Sequence, residues 1–156
     1  MLPEGFNVGR VLLHFGAVDQ CARVWVNGED ACAHTGGYLG FSADITELLY
    51  AEGEANEILV RVTDDTDKSY HTRGKQKLKP GGIWYTPVSG IWQTVWCESV
   101  PENYIRALYI TPHVDQGAVE LYVDGEGPCR ALIGGMAYDF CAGTPALLRL
   151  GEEIHL

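Results

Sequence analysis

"CARVWVNGEDACAH", residues 21–34, is the stretch that decides the architecture. Val24, Trp25 and Val26 run straight into Asn27-Gly28. That dipeptide accepts positive φ at both turn positions and so closes a type I′ hairpin between two strands. Upstream, "RVLLHFGAVD" (10–19) alternates, with Val11, Leu13 and Phe15 on one face and Leu12 and His14 on the other, a strand ending at Gly16. Downstream, "GGYLGFS" reads as loop, and "DITELL" (44–49) offers Asp44 as an N-cap with Glu47 three residues on, a capping box for one short helical turn. "NEILVRVTDD" (56–65) alternates again, Ile58, Val60 and Val62 against Leu59 and Arg61.

Residues 66–90 carry little periodicity, and loops of that length inside a compact domain are usually functional or pinned by a partner. The chain then returns to a strand at "GIWQTVWCESV". Alternation from Ile91 places Ile91, Gln93, Val95 and Cys97 on one face and Trp92, Thr94 and Trp96 on the other. Both sets are largely apolar, as in a strand covered on two sides, so Trp92 and Trp96 are expected in a core or an interdomain contact. Pro101 marks a boundary. After it "YIRALYITPHV", "AVELYVDG", "CRALIGG" and "PALLRL" are short strands separated by Gly, Pro and Asp turns. No helix of ordinary length is predicted anywhere, and the regular spacing of short strands implies an all-β sandwich or barrel.

Composition narrows the function. The formal net charge of −10 argues against a nucleic-acid backbone as partner, and the densest basic stretch is only "RGKQKLK" at 73–79. Five cysteines at 21, 32, 97, 129 and 141 show no paired spacing, which favours buried thiols in a reducing compartment over disulfides. Cys32 and His34 with His14 lack the repeated spacing of a zinc site, and Asp64, Asp65 and Asp67 read as a solvated acidic turn rather than a Ca²⁺ site. No metal and no cofactor is therefore expected. No apolar run reaches membrane-spanning length, and "MLPEGFNVGR" lacks the basic and apolar regions of a secretion signal. A cytoplasmic location without membrane association is the expectation.

The motifs "RVLLHFGAVD", "VWVNGEDACAHTGGYLGFSADITELL", "NEILVRVTDD", "RGKQ" and "GGIWYTPVSGIWQTVW" together resemble, in this order, the sugar-binding domain of glycoside hydrolase family 2. That family includes β-galactosidases, β-glucuronidases and β-mannosidases. The resemblance covers about residues 2–100, and residues 101–156 resemble the opening strands of the immunoglobulin-like domain that follows in those enzymes. It implies a truncated jelly-roll β-sandwich over 1–100, then a partial immunoglobulin-like β-sandwich over 101–156.

In the family, catalysis resides in a third domain, a TIM barrel. Hydrolysis there uses two carboxylates about 5 Å apart, one as nucleophile and one as acid/base. Neither maps onto this sequence. Glu57 follows Asn56, but in the position of a structural strand opening. No catalytic residue is assigned, and the expected role is a non-catalytic fragment that supports and walls the sugar site of the barrel.

The loop between Pro80 and Pro87 carries Trp84 and Tyr85, a candidate aromatic platform for a sugar ring. In the family this loop and the "RGKQ" segment lean toward the barrel mouth, which makes Arg73, Lys75 and Gln76 candidates for hydrogen bonds to sugar hydroxyls or a carboxylate. The acidic residue that some members place just before the "SGIW" serine is replaced here by "GGIWYTPV", so that contact does not carry over. Weak carbohydrate binding is expected, with a free-standing carbohydrate-binding module and a pure interaction protein as alternatives. Homo-oligomerisation is expected through open sheet edges at "RVLLHF" and near "GEEIHL".

Overall fold

The computed structural model describes residues 1–150. The chain divides after Pro101 into two compact units.

The first unit is built from eight strands: β1 (Arg10–Phe15), β2 (Val18–Asp19), β3 (Cys21–Val26), β4 (Glu29–Thr35), β5 (Phe41–Asp44), β6 (Ile58–Thr63), β7 (Gly90–Ile91) and β8 (Val95–Val100). They form two three-stranded sheets, β5-β1-β8 and β4-β3-β6, with the short pair β2-β7 beside them. Val11, Leu13 and Phe15 of β1 share one buried cluster with Ala22, Val24 and Val26 of β3 and with Ile45. Period-2 patterning thus places the inner faces of the two sheets against each other. The β3–β4 hairpin closes at Asn27 and Gly28 with φ of 52° and 86°, the left-handed pair that the dipeptide allows.

Three local expectations are revised. "RVLLHF" is not an open edge: β1 is the middle strand, paired with β5 and β8. Phe41–Asp44, expected as loop and cap, is strand β5; Asp44 accepts the Thr46 N–H (3.1 Å) and hydroxyl (2.5 Å) in place of a capping box with Glu47. Residues 90–100 are not one strand, because β7 pairs with β2 and β8 with β1. The break follows from Gly16, whose N–H donates to the Thr94 carbonyl at 2.8 Å. A side chain at Gly16 would collide with Gln93 Cβ at 2.7 Å, so only glycine permits this approach. The alternation across the break therefore fails, and Trp92 and Trp96 are about half exposed (49% and 45%), so of the two expected settings, core or interdomain contact, the core is excluded.

The second unit contains β9 (Ala107–His113), β10 (Ala118–Asp124), β11 (Pro128–Ile133), β12 (Met136–Cys141) and β13 (Ala146–Arg149). The sheet β13-β10-β9 and the hairpin β11-β12 bury Val119, Leu121 and Leu148 against Ala131, Ile133, Tyr138 and Phe140. Strand β12 was not expected from "GGMAYDFC". The expected edge at "GEEIHL" lies outside the described residues. The cysteines also depart from expectation: Cys21, Cys32, Cys97 and Cys129 are half-buried and Cys141 is exposed. Burial pushes the Cys32 and Cys97 thiols up, so both stay protonated and unreactive.

Candidate sugar-facing site

The long excursion between β6 and β7 is pinned at both ends by side chains. Asp64 accepts the Thr66 N–H at 2.7 Å through one oxygen and the Ser89 hydroxyl at 2.6 Å through the other. Buried Gln20 donates from its amide to the Thr72 carbonyl at 3.1 Å, which draws the middle of the excursion onto the turn after β2. Gln76 accepts the Val88 N–H at 2.6 Å and hydrogen-bonds Asp19 as well. Burial raises the Asp19 carboxyl above its ordinary value, the neighbouring Asp64 charge raises it further, and the Gln76 hydrogen bond offsets part of this.

These anchors bring the two sequence-predicted segments together. The Tyr85 N–H donates to the Lys75 carbonyl at 2.7 Å, and the Lys77 N–H donates to the Tyr85 carbonyl at 3.1 Å. Lys75 and Tyr85 are exposed, Tyr85 at 67%, and their side chains are open to a ligand. Trp84 is half-buried, with the Lys77 ammonium 4.0 Å from its ring centroid, so one π face is already occupied by a cation. Gln76 holds the loop and has its carbonyl oxygen engaged. Arg73 is half-buried and its Nε has no hydrogen-bond partner among the described residues.

Two aromatic residues that sequence reasoning missed belong to the same surface. Trp92 Nε1 donates to the Gly37 carbonyl at 2.7 Å, and its ring meets Tyr38 edge-on at 6.3 Å between centroids. Gly37 itself is buried beside Asp19: a Cβ there would sit 2.7 Å from the Asp19 carboxylate. The Tyr38 hydroxyl reaches toward Gly74 of "RGKQ", 3.3 Å from where a Cβ would stand. Tyr38, at 54% exposure, was legible only as a lone tyrosine in the glycine-rich "TGGYLG". Half-exposed rings, Trp92 held by a hydrogen bond and Tyr38 packed edge-on against it, beside lysine and tyrosine side chains, suit the apolar face and polar rim of a sugar.

The family model described as "Glycosyl hydrolases family 2, sugar binding domain" matches residues 2–101. The chain belongs to glycosyl hydrolase family 2. Human β-glucuronidase is 27% identical over 152 residues, covering 81% of this chain and 23% of its own length. A β-galactosidase of Thermoanaerobacter pseudethanolicus is 31% identical over 110 residues, covering 69% of this chain and 14% of its own. Among solved structures, Ruminococcus gnavus β-glucuronidase superposes with a TM-score of 0.72 at 21% identity, covering 98% of this chain and 28% of that one. The all-β fold is therefore shared with the family 2 enzymes. This chain spans less than a quarter of the length of these curated relatives. Among the described residues no helix is long and apolar enough to cross a membrane.

Proposed function

We propose that this family 2 domain supports a catalytic barrel and walls one side of its sugar site, with the surface of Tyr38, Lys75, Trp84, Tyr85 and Trp92 facing the sugar. One observation carries the reading: the excursion from 64 to 89 is tied down by Asp64, Gln20 and Gln76, while Tyr85 and Lys75 are left unoccupied at its tip. A loop ordered by that many polar anchors, yet presenting bare aromatic surface, is built to meet something. On this reading residues 1–100 and 101–156 act as non-catalytic sandwich domains, of jelly-roll and immunoglobulin-like type, within a β-galactosidase- or β-glucuronidase-like enzyme.

A single wall offers few convergent hydrogen bonds, and sugar hydroxyls compete with water, so the isolated chain should bind sugar at millimolar order, about −4 kcal/mol. It should not hydrolyse aryl β-galactosides or β-glucuronides. Calorimetry and a chromogenic assay on the repurified chain test both statements. A micromolar dissociation constant abolished by Trp84→Ala would replace the reading with a free-standing binding module. Turnover that follows the protein through repurification would overturn it altogether.

A further inference from the structure

The outer face of the β5-β1-β8 sheet holds a second aromatic arrangement that the loop surface does not use. His14 and Trp96 are directly opposite in register, and their rings stack with centroids 4.7 Å apart and planes 12° apart. The imidazole is held by one hydrogen bond. Its Nδ1 lies 2.6 Å from Ser42 Oγ, whereas its Nε2 lies 3.2 Å from Glu98 Oε2 without a hydrogen bond there. Trp96 therefore stacks on a ring that Ser42 positions.

Among the described residues β8 pairs only with β1 in this sheet, so no described strand lies on its other side. Trp96 is 45% exposed to solvent. Glu98, two residues along on the same side, has a half-exposed side chain (52%), and its Oε1 accepts no hydrogen bond among the described residues. An isolated exposed tryptophan needs no explanation. A tryptophan stacked on a hydrogen-bonded ring, with a carboxylate acceptor beside it, has the parts that recognise a pyranose.

We propose that Trp96 and Glu98 form a second sugar site, in which the indole stacks on the C–H face of a neutral pyranose and Glu98 accepts hydrogen bonds from its hydroxyls. Charge selects the class of sugar. Asp44 sits on the same face, with its charge already engaged by Arg10 at 2.8 Å, and the chain as a whole carries −10. A uronate or a phosphosugar would meet Glu98 as a like charge, whereas a neutral hexose would not. The site rests on the loop reading only in taking a sugar as ligand, since it shares no residue with it.

The four tryptophans, Trp25, Trp84, Trp92 and Trp96, give four indole N–H resonances that can be followed separately in the whole 156-residue chain. Titration with cellobiose and with lactose should move the Trp96 indole signal with a dissociation constant of millimolar order, about 1–20 mM. Glucuronate should bind this site at least about tenfold more weakly, and Trp96→Ala, read by calorimetry because it removes the indole reporter, should weaken neutral-sugar binding by about tenfold or more. Glu98→Gln keeps the ring and loses the charged acceptor, so a loss of about threefold is expected with an unchanged fold. An unmoved Trp96 signal at about 100 mM sugar, or glucuronate binding as well as cellobiose, would overturn the second site. A silent Trp84 signal with a responding Trp96 would overturn the loop reading and leave this one standing.

Discussion

The Asp64 carboxylate accepts the Ser89 hydroxyl at 2.6 Å, joining two residues that are twenty-five apart in sequence. That one bond closes the excursion from the end of β6 to the start of β7, and the same carboxylate shapes the turn at Thr66. Loop closure lowers the entropy of everything between its ends, so the aromatic surface depends on a residue that does not belong to it.

Asp64→Ala should therefore loosen the loop before it unfolds the protein. Loss of charge-assisted hydrogen bonds at a half-buried site costs about 1–3 kcal/mol. Limited proteolysis should cut the variant between residues 66 and 88 well before it cuts the native chain. Ser89→Ala, which removes one bond, should show a smaller effect in the same direction. Cleavage first appearing in β1 or β3 would contradict this.

Asp19 makes a pH-dependent contribution of unusual sign. Its carboxyl is raised in the folded state by burial and by the Asp64 charge, so folding favours the protonated form. The contribution to stability is full below the ordinary aspartate value of 3.8 and is lost as the pH rises through the raised folded value. Asp19→Asn removes the titrating charge and keeps a polar partner for Gln76. Its stability advantage over the native chain should be absent in acid and grow as pH climbs through that window, measured by denaturant melts at several pH values.

Asn27 joins the hairpin turn to the start of β6. Its side-chain amide donates to the Leu48 carbonyl at 2.8 Å and to Asn56 at 2.7 Å, and its side-chain carbonyl accepts the Glu57 N–H at 2.9 Å. Asn27→Ala forfeits these bonds and holds alanine at φ of 52°, a combined cost of about 2–4 kcal/mol. Asn27→Gly loses the bonds but not the backbone fit, and should melt between the native chain and the alanine variant.

Self-association is expected through the second unit. Among the described residues strand β9 is an edge whose Leu108 and Ile110 are exposed (51% and 61%), and they line an apolar groove of about 940 Å³ with Val119, Leu121, Ala131 and Ile133. An unpaired strand edge beside apolar surface templates pairing with a second chain. Repulsion between chains of net charge −10 reaches only about 8 Å at physiological salt. Light scattering at tens of micromolar should report a dimer or larger assembly, and Ile110→Lys should shift it toward monomer. A native chain that is monomeric at that concentration would contradict the expectation.

The sequence by itself determined the strands whose residues alternate under a buried face, because a side-chain period of two is dictated by the chain alone. Val11, Leu13 and Phe15, and Val24 and Val26 before Asn27-Gly28, were legible for that reason; Pro101 marked the division between the two units, and the resemblance of the ordered motifs pointed to the family. What only the tertiary structure decided depends on contacts between distant residues. Gly16 meeting Gln93 broke the strand that local alternation ran through, and Trp92 and Trp96, expected in a core or an interdomain contact, are half-exposed rings in this chain. The pairing of β1 with both β5 and β8 removed an edge that its own residues could not reveal. Gln76 and Trp84 looked equally available in sequence, yet one is engaged by the Val88 N–H and the other by the Lys77 ammonium. Periodicity reports which face a residue is on; only the fold decides what lies against that face.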